Sequence, residues 1–324
     1  MTNQTTVPIP KVIGRDGKVA KSRESQKTCR IIKFNSVFGE KAGRILNMSF
    51  HRYSLIILLA GIFALQGTCQ SSQRIVSLAP SLTRSLEYLE VTDRLIGCTS
   101  YCRTEQESKA EIVASAIRVN LEKVISLRPD LVITTTITDP ETIASLQKFG
   151  IRVEVFNSPV SFKDICDQFV ALGEMVGRKS LADSIVAASR KTVHDLKQKV
   201  TWQVPPRIFF QIGAKPLFTV IPETFMDDYI RLCGGINIAA GMKHGTITRE
   251  TVLKENPDVI FIVTMGITGY EEKRIWESYS SMNASRDGKI YILDSDLACT
   301  PTPITFAQTL CRMLELLNDQ NSAD

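Results

Sequence analysis

Histidine and tryptophan are scarce in this chain of 324 residues, with three of the first and two of the second. His51, His194 and His244 are widely separated and no CxxC pair accompanies them, so the donor set of a structural zinc cluster is missing. Also missing are GxSxG, HExxH, GxGxxG and the GxxxxGKS or GxxxxGKT phosphate loop. The chain therefore lacks the usual signatures of hydrolases and dinucleotide enzymes, and any ATP hydrolysis belongs to another subunit. A catalytic Ser77 or Cys98 would need a base that no motif supplies, so no residue is assigned a catalytic role.

Long apolar runs are lacking too. The longest runs from Leu55 to Leu65, too short for a membrane-spanning helix of about 20 apolar residues. His51 and Arg52 precede it and small and polar residues leading to Cys69 follow, which is the order of a signal peptide. Since this signal begins at residue 48, Met48 is the expected start. Residues 1–47 are then a spurious or disordered extension; the alternative is a real basic arm on the cytoplasmic side. Leu65-Gln-Gly-Thr-Cys69 resembles a bacterial lipoprotein box with Cys69 as acylation site, and simple cleavage is the alternative.

The formal charge of +5 comes from the arm, which holds ten basic and three acidic residues. Beyond Cys69 there are 28 basic and 31 acidic residues, a balance that gives no reason to expect nucleic acid as a partner.

What is present is a repeated phrase. NLEKVISLRPDLVI (120–133) and TRETVLKENPDVIF (248–261) match at an offset of 128, with Glu122/Glu250, Val124/Val252, Pro129/Pro257 and Asp130/Asp258 in register. Asn120 and Thr248 are good helix N-caps and the glutamates fall in the first turn, where the helix dipole favours them. Each proline bars helix at the preceding residue, and an apolar, β-branched run of the buried parallel type follows. The phrase predicts a helix–turn–strand unit, either a commonplace of α/β proteins or the mark of two related lobes.

Strands and helices alternate on both sides of it. Arg74–Leu78, Leu95–Cys98, Leu131–Thr135 and Ile151–Phe156 read as strands, as do Arg207–Gln211 and Lys289–Leu293. Asp139-Pro140 opens a helix that Gly150 closes; Ser161 caps another, ending at Gly177. Ser180 is the expected cap of a longer helix, which would span about 30 Å at 1.5 Å per residue. The expected organisation is an α/β lobe at 74–160, a helical linker at 161–203 and a second α/β lobe at 204–318. Cys233 and Cys311 lie on helices that would pack side by side in the second lobe, so a disulfide between them or two buried thiols are both open.

RIVSLAPS, NLEKVISLRPDLVI, QIGAKPLFT, RLCGGINI and the second copy of the repeat, together with the export signal, resemble the helix-linked substrate-binding proteins of ABC importers, the class that delivers iron–siderophores, haem and vitamin B12. QIGAKPLFT, RLCGG and TLCRML are most similar to its vitamin B12-binding members. The resemblance implies two α/β lobes with mainly parallel sheets, joined by a single long helix, with a ligand cleft between them. It implies a monomer of the cell envelope without a cofactor or metal of its own, carrying a corrinoid (cobalamin-like), haem or ferric siderophore. Its partners would be a dimeric ABC permease with separate ATPase subunits and, if Cys69 is acylated, the membrane. Carried over by motif position, Glu122 and Glu250 would dock on permease arginines, one per lobe; the alternative is two acids serving only the helix dipole. Tyr101, Lys215, Phe218, His244 and Leu297 fall where ligand contacts are expected, the aromatics suiting a flat macrocycle. Where B12-binding members carry tryptophans, this chain has Thr134–Thr138, Lys243–Gly245 and Leu297. A sensory or adhesive envelope protein and an envelope enzyme are the other classes considered.

Overall fold

The computed structural model describes residues 73–102, 109–115, 118–263 and 268–318, which belong to one compact unit. The expected leader, its start at Met48 and the candidate lipidation site Cys69 lie outside the described residues.

The first lobe is a five-stranded sheet ordered β3-β2-β1-β4-β5, from β1 (Ile75–Ser77), β2 (Leu95–Thr99), β3 (Glu111–Ala114), β4 (Leu131–Thr135) and β5 (Arg152–Phe156). Every pairing in it is parallel. Helices α1 (Pro80–Tyr88), α2 (Leu121–Ser126) and α3 (Pro140–Lys148) connect its strands. Side chains alternate between two cores as a pleated strand requires: Ile75, Leu131 and Ile133 enter one, Val76 and Val132 the other.

The second lobe repeats the plan. Strand β6 (Arg207–Ala214) pairs in parallel with β8 (Ile236–Asn237) and β9 (Val259–Ile262), and β10 (Ile290–Ile292) extends the sheet beyond β9. The antiparallel β7 (Leu217–Thr219) folds back on the far end of β6. Helices α6 (Phe225–Leu232), α7 (Arg249–Glu255), α8 (Thr268–Glu277), α9 (Asn283–Arg286), α10 (Ser295–Ala298) and α11 (Pro303–Asn318) complete it, with α4 (Phe162–Met175) and α5 (Lys179–Gln198) between the lobes.

The sequence repeat is a structural repeat down to its joints. Asn120 accepts from the Lys123 amide (2.9 Å), and Thr248 from the Thr251 amide (3.2 Å). Arg128 and Asn256, 128 residues apart, both take a left-handed conformation (φ 47° and 46°) just before the prolines. Asp130 then accepts from the Arg74 amide at 2.7 Å, and Asp258 from the Arg207 amide at 2.9 Å. The guanidinium of each arginine donates to the carbonyls ending the preceding helix, Arg74 to Leu127 (2.7 Å) and Arg207 to Glu255 (3.0 Å). One Arg–Asp device thus sets the leading strand of each lobe against its repeated unit and satisfies helix-terminal carbonyls.

The joint between lobes is α5, the expected long helix, with α4 packed along it. Both helices enter both cores. Ile165 of α4 lies in the second lobe's core, and Cys166, Phe169 and Leu172 lie in the first lobe's. Along α5 the order runs the other way, Ala182 and Val186 into the first and Val193 and Leu196 into the second. The Phe162 amide at the start of α4 donates to Asp228 of α6 (2.8 Å), and its ring stacks on Phe306 of α11 at 4.6 Å.

Several local expectations need correction. The cap of α5 is Arg178, which makes no side-chain capping bond, and Ser180 lies within the helix. Strands β3, β7 and β8 add to those read from the sequence. The expected Cys233–Cys311 bridge does not form, because Cys233 and Cys311 are free thiols. Cys233 is buried with its Sγ donating to the Ile230 carbonyl (3.2 Å) of its own turn, and burial pushes its thiol up to about 12. Cys311 instead turns toward Glu315 on its own helix (3.6 Å).

A Cβ added at Gly173 of α4 would lie 2.4 Å from Cβ of Ala182 on α5, so this pair sets how closely the helices approach. Gly173→Ala should lower the unfolding free energy by about 1–3 kcal/mol through overpacking, read as a lower urea midpoint. An unchanged midpoint would show that the helices can separate without cost.

Candidate functional site

Strand direction defines the functional edge. A narrow crevice is lined by Ser81 just past β1, Thr135 at the carboxyl end of β4, Asn157 just past β5, and Gln168 of α4. Pro301, beyond the carboxyl end of β10, closes it from the second lobe. The crevice thus lies between the carboxyl edge of the first sheet and a loop of the second lobe. In the first sheet the strand order reverses between β1 and β4, and the crevice lies there, at the topological switch point where open α/β sheets bind ligands. The crevice, about 20 Å³, has room for a single water.

The expected ligand residues lie along this edge. Tyr101 follows the carboxyl end of β2 and is 53% exposed, its amide donating to Thr99 Oγ1 at 3.2 Å. Lys215 and Phe218 are exposed in the turn and strand that follow the carboxyl end of β6. The segment Lys243–Thr246 pairs with β7: the Thr219 amide donates to Gly245 O (2.8 Å), and Phe218 bridges to Thr246. Gly245 is required by closeness, since a Cβ there would stand 2.3 Å from the Phe218 ring. His244 is exposed in this segment, and Leu297 is half-buried on α10. Thr134 turns inward, its hydroxyl 2.6 Å from that of Thr138, and offers no flat surface.

Two further exposed apolar side chains stand beyond strand ends, Ile137 within the stretch Thr134–Thr138 marked from the sequence and Tyr270 outside any stretch marked there. Ile137 is 81% exposed in the loop after β4, and Tyr270 is 73% exposed near the start of α8, the helix following β9. Each follows the carboxyl end of a buried strand.

Glu122 and Glu250 are exposed at matching positions on the first turns of α2 and α7. The Asn120 amide donates to Val113 of β3 (2.8 Å) and the Ile247 amide to Leu217 of β7 (3.1 Å), which puts both helix starts at the cleft-facing edge. The first-turn amide of Glu250 and the Thr248 hydroxyl hold the Glu250 carboxyl below the usual range. Beside it, Arg249 locks α7 to α8. Its Nη2 meets the buried Glu272 carboxylate at 2.7 Å, and its guanidinium lies 4.6 Å over the Trp276 ring. Glu272 also accepts from Gln211 Nε2 (2.8 Å), and Trp276 Nε1 donates to Gln211 Oε1 (2.7 Å), which closes the network on β6.

The family model described as periplasmic binding protein matches residues 75–297. The vitamin B12-binding protein of Vibrio cholerae is 27% identical over 256 residues, covering 77% of this chain and 91% of the relative. An uncharacterized ABC transporter substrate-binding lipoprotein of Bacillus subtilis is 29% identical over 240 residues, covering 71% and 76%. The crystal structure of the periplasmic vitamin B12 binding protein of Vibrio cholerae superposes with a TM-score of 0.66 at 25% identity, covering 77% of this chain and 98% of that one. A periplasmic heme-binding protein of Roseiflexus superposes with a TM-score of 0.68 at 23% identity, covering 77% and 99%, a likeness of fold.

Removing Arg249 would leave the Glu272 carboxylate buried without its counter-charge. Arg249→Ala should cost about 3–5 kcal/mol of stability, and Glu272→Gln less, because it keeps an acceptor without the charge. Urea unfolding of both variants checks the order, and a milder Arg249→Ala would remove the ion pair as the lock.

Proposed function

This chain belongs to the periplasmic binding protein family, and we propose that it captures a corrinoid or a related flat metal chelate between its lobes and hands it to a membrane permease. It is a binding protein of the ABC-importer type rather than an enzyme, so a permease and ATPase are its working context. The observation that carries the ligand reading is the composition of the cleft edge. Tyr101, Ile137, Phe218 and Tyr270 offer exposed apolar faces beyond the strands of both lobes. Lys215 and His244 add polar or cationic groups at the same rim. Broad apolar faces with few cations suit a planar ring system bearing polar substituents better than a highly charged small anion. The B12-binding relative adds weight to a corrinoid within that class.

Titration with cyanocobalamin, cobinamide, haemin and a ferric siderophore should give 1:1 binding of at least one. Tyr101→Ala and Phe218→Ala should each weaken it by about tenfold, the loss of roughly one aromatic contact. Flat titrations with all four would end this reading.

We assign permease docking to Glu122 and Glu250. They are repeat-related, exposed and on the same edge as the cleft mouth, as a partner with two-fold symmetry would require. Reversing both to Lys should leave ligand affinity unchanged and abolish uptake in cells, the double change exceeding either single one. Normal uptake by the double variant would take the docking role away.

A further inference from the structure

Two cysteines at the cleft edge of the first lobe stand on either side of one turn and pack against the same core, and nothing in ligand capture uses them. Cys98 is buried in β2, in register with Ser77 of β1 on the neighbouring strand. The chain turns immediately after it: the Cys102 amide donates to Thr99 O (3.0 Å), which brings residue 102 back over the strand end. Cys102 is only partly buried and packs against the same core as Cys98. Hydroxyls surround its sulfur. Thr83 Oγ1 donates to Cys102 Sγ at 3.0 Å, Thr99 Oγ1 lies 3.2 Å from the same atom, and the Ser77 and Thr83 hydroxyls are 2.8 Å apart.

We propose that Cys98 and Cys102 form a thiol–disulfide exchange site, with Cys102 as the attacking sulfur and Cys98 as the resolving one, closing a reversible disulfide across the turn that carries Tyr101. Exposure and hydroxyl contacts assign the order: Cys102 is the partly exposed sulfur and accepts from Thr83 Oγ1, whereas Cys98 is buried. Hydrogen bonds from Cys98, and then from Thr83 and Thr99, hold the Cys102 thiol down to about 6 against the opposing effect of burial. Cys98 is pushed far up by the same contact and by burial, so it stays a thiol until Cys102 has reacted. Cys166, Cys233, Cys299 and Cys311 are all raised, chiefly by burial, which leaves Cys102 as the one thiol lowered among the described cysteines. A thiolate near ambient pH is the efficient nucleophile in such exchange.

The chemistry balances with a disulfide of low molecular weight or of a partner protein as oxidant. The Cys102 thiolate attacks one sulfur of glutathione disulfide, forming a mixed disulfide and expelling one glutathione thiolate, which takes up a proton. Cys98 then gives up its proton, attacks Cys102 Sγ and expels the second glutathione. Two protein thiols become one disulfide, and one glutathione disulfide becomes two glutathione thiols. The bridge would close a loop of only a few residues, for which the chain-entropy gain is small, so it is a reversible bond rather than a stabilising staple. Its formation in the cell rests on the extracytoplasmic setting of the family, where disulfides persist. The sulfur chemistry can be tested without that setting.

The test uses the reduced, purified protein treated with glutathione disulfide at pH 7, acid-quenched, alkylated and peptide-mapped, with circular dichroism to confirm the fold. The expected product links Cys98 to Cys102 and is reversed by dithiothreitol. Cys98→Ser should stop at a glutathione adduct on Cys102, and Cys102→Ser should give neither adduct nor bridge. The rate of adduct formation by Cys98→Ser should rise with pH to a plateau, and adding Thr83→Val should move that rise to higher pH. The proposal is overturned if both cysteines of the treated native protein remain alkylatable. It is overturned equally if Cys102→Ser captures glutathione on Cys98 as fast as Cys98→Ser does on Cys102.

Discussion

The structure depends on the contact between α4 and α5. Two lobes built on separate sheets have no strand in common, and a single crossing helix would leave them free to twist about its axis. Here a second helix lies along the first, and each inserts apolar side chains into both cores. Gly173 against Ala182 permits the close approach, and Phe162 stacked on Phe306 fixes the far end. Rotating one lobe must therefore disturb packing in both cores at once, where density is crystal-like and displacement is resisted. On the proposed reading, ligand capture on this frame would work mainly by presenting a preformed cleft.

The paired Arg–Asp devices explain how two lobes of different sequence keep one geometry. Arg74 with Asp130, and Arg207 with Asp258, fasten the first strand of a lobe to the turn before its partner strand. Parallel strands cannot be joined by a tight hairpin, so their register has to be set by the connecting helices and by contacts of this kind. Because both devices sit at the amino ends of their strands, the carboxyl ends are left to the loops that form the cleft. Stability and recognition are thereby assigned to opposite edges of each sheet.

Much of this architecture was legible in the sequence, for physical reasons that can be located. The repeat carried its own caps and prolines, and Asn120, Asp139, Ser161 and Thr248 each accept the bond their position predicted. Buried strands such as Leu131–Thr135 and Val259–Ile262 announced themselves as continuous apolar runs. Strands β3, β7 and β8 did not, whereas the equally short β1 and β10 were read from the stretches RIVSL and KIYIL around them. Thiol geometry was also illegible: Cys233 and Cys311 lie on helices that join the same core, yet their sulfurs point along their own helices. Tyr270 was missed because exposure of an apolar group beyond a strand end is a property of the fold and leaves no local pattern.

The edge that gathers the ligand residues also carries Glu122 and Glu250, and this shared placement constrains transport on the proposed reading. A partner that engages both glutamates must lie across the cleft mouth, since one carboxylate stands on each lobe beside it. Docking and covering are then the same event, and a ligand released while the complex lasts has only the partner's side to leave by. The rigid α4–α5 joint adds to this. Small changes in lobe angle would be resisted by both cores, so binding energy from the two docking sites could be applied to strain the cleft rather than be dissipated in a loose hinge. The double strut would thus serve both ends of the cycle, holding the cleft preformed for capture and carrying force across it for release.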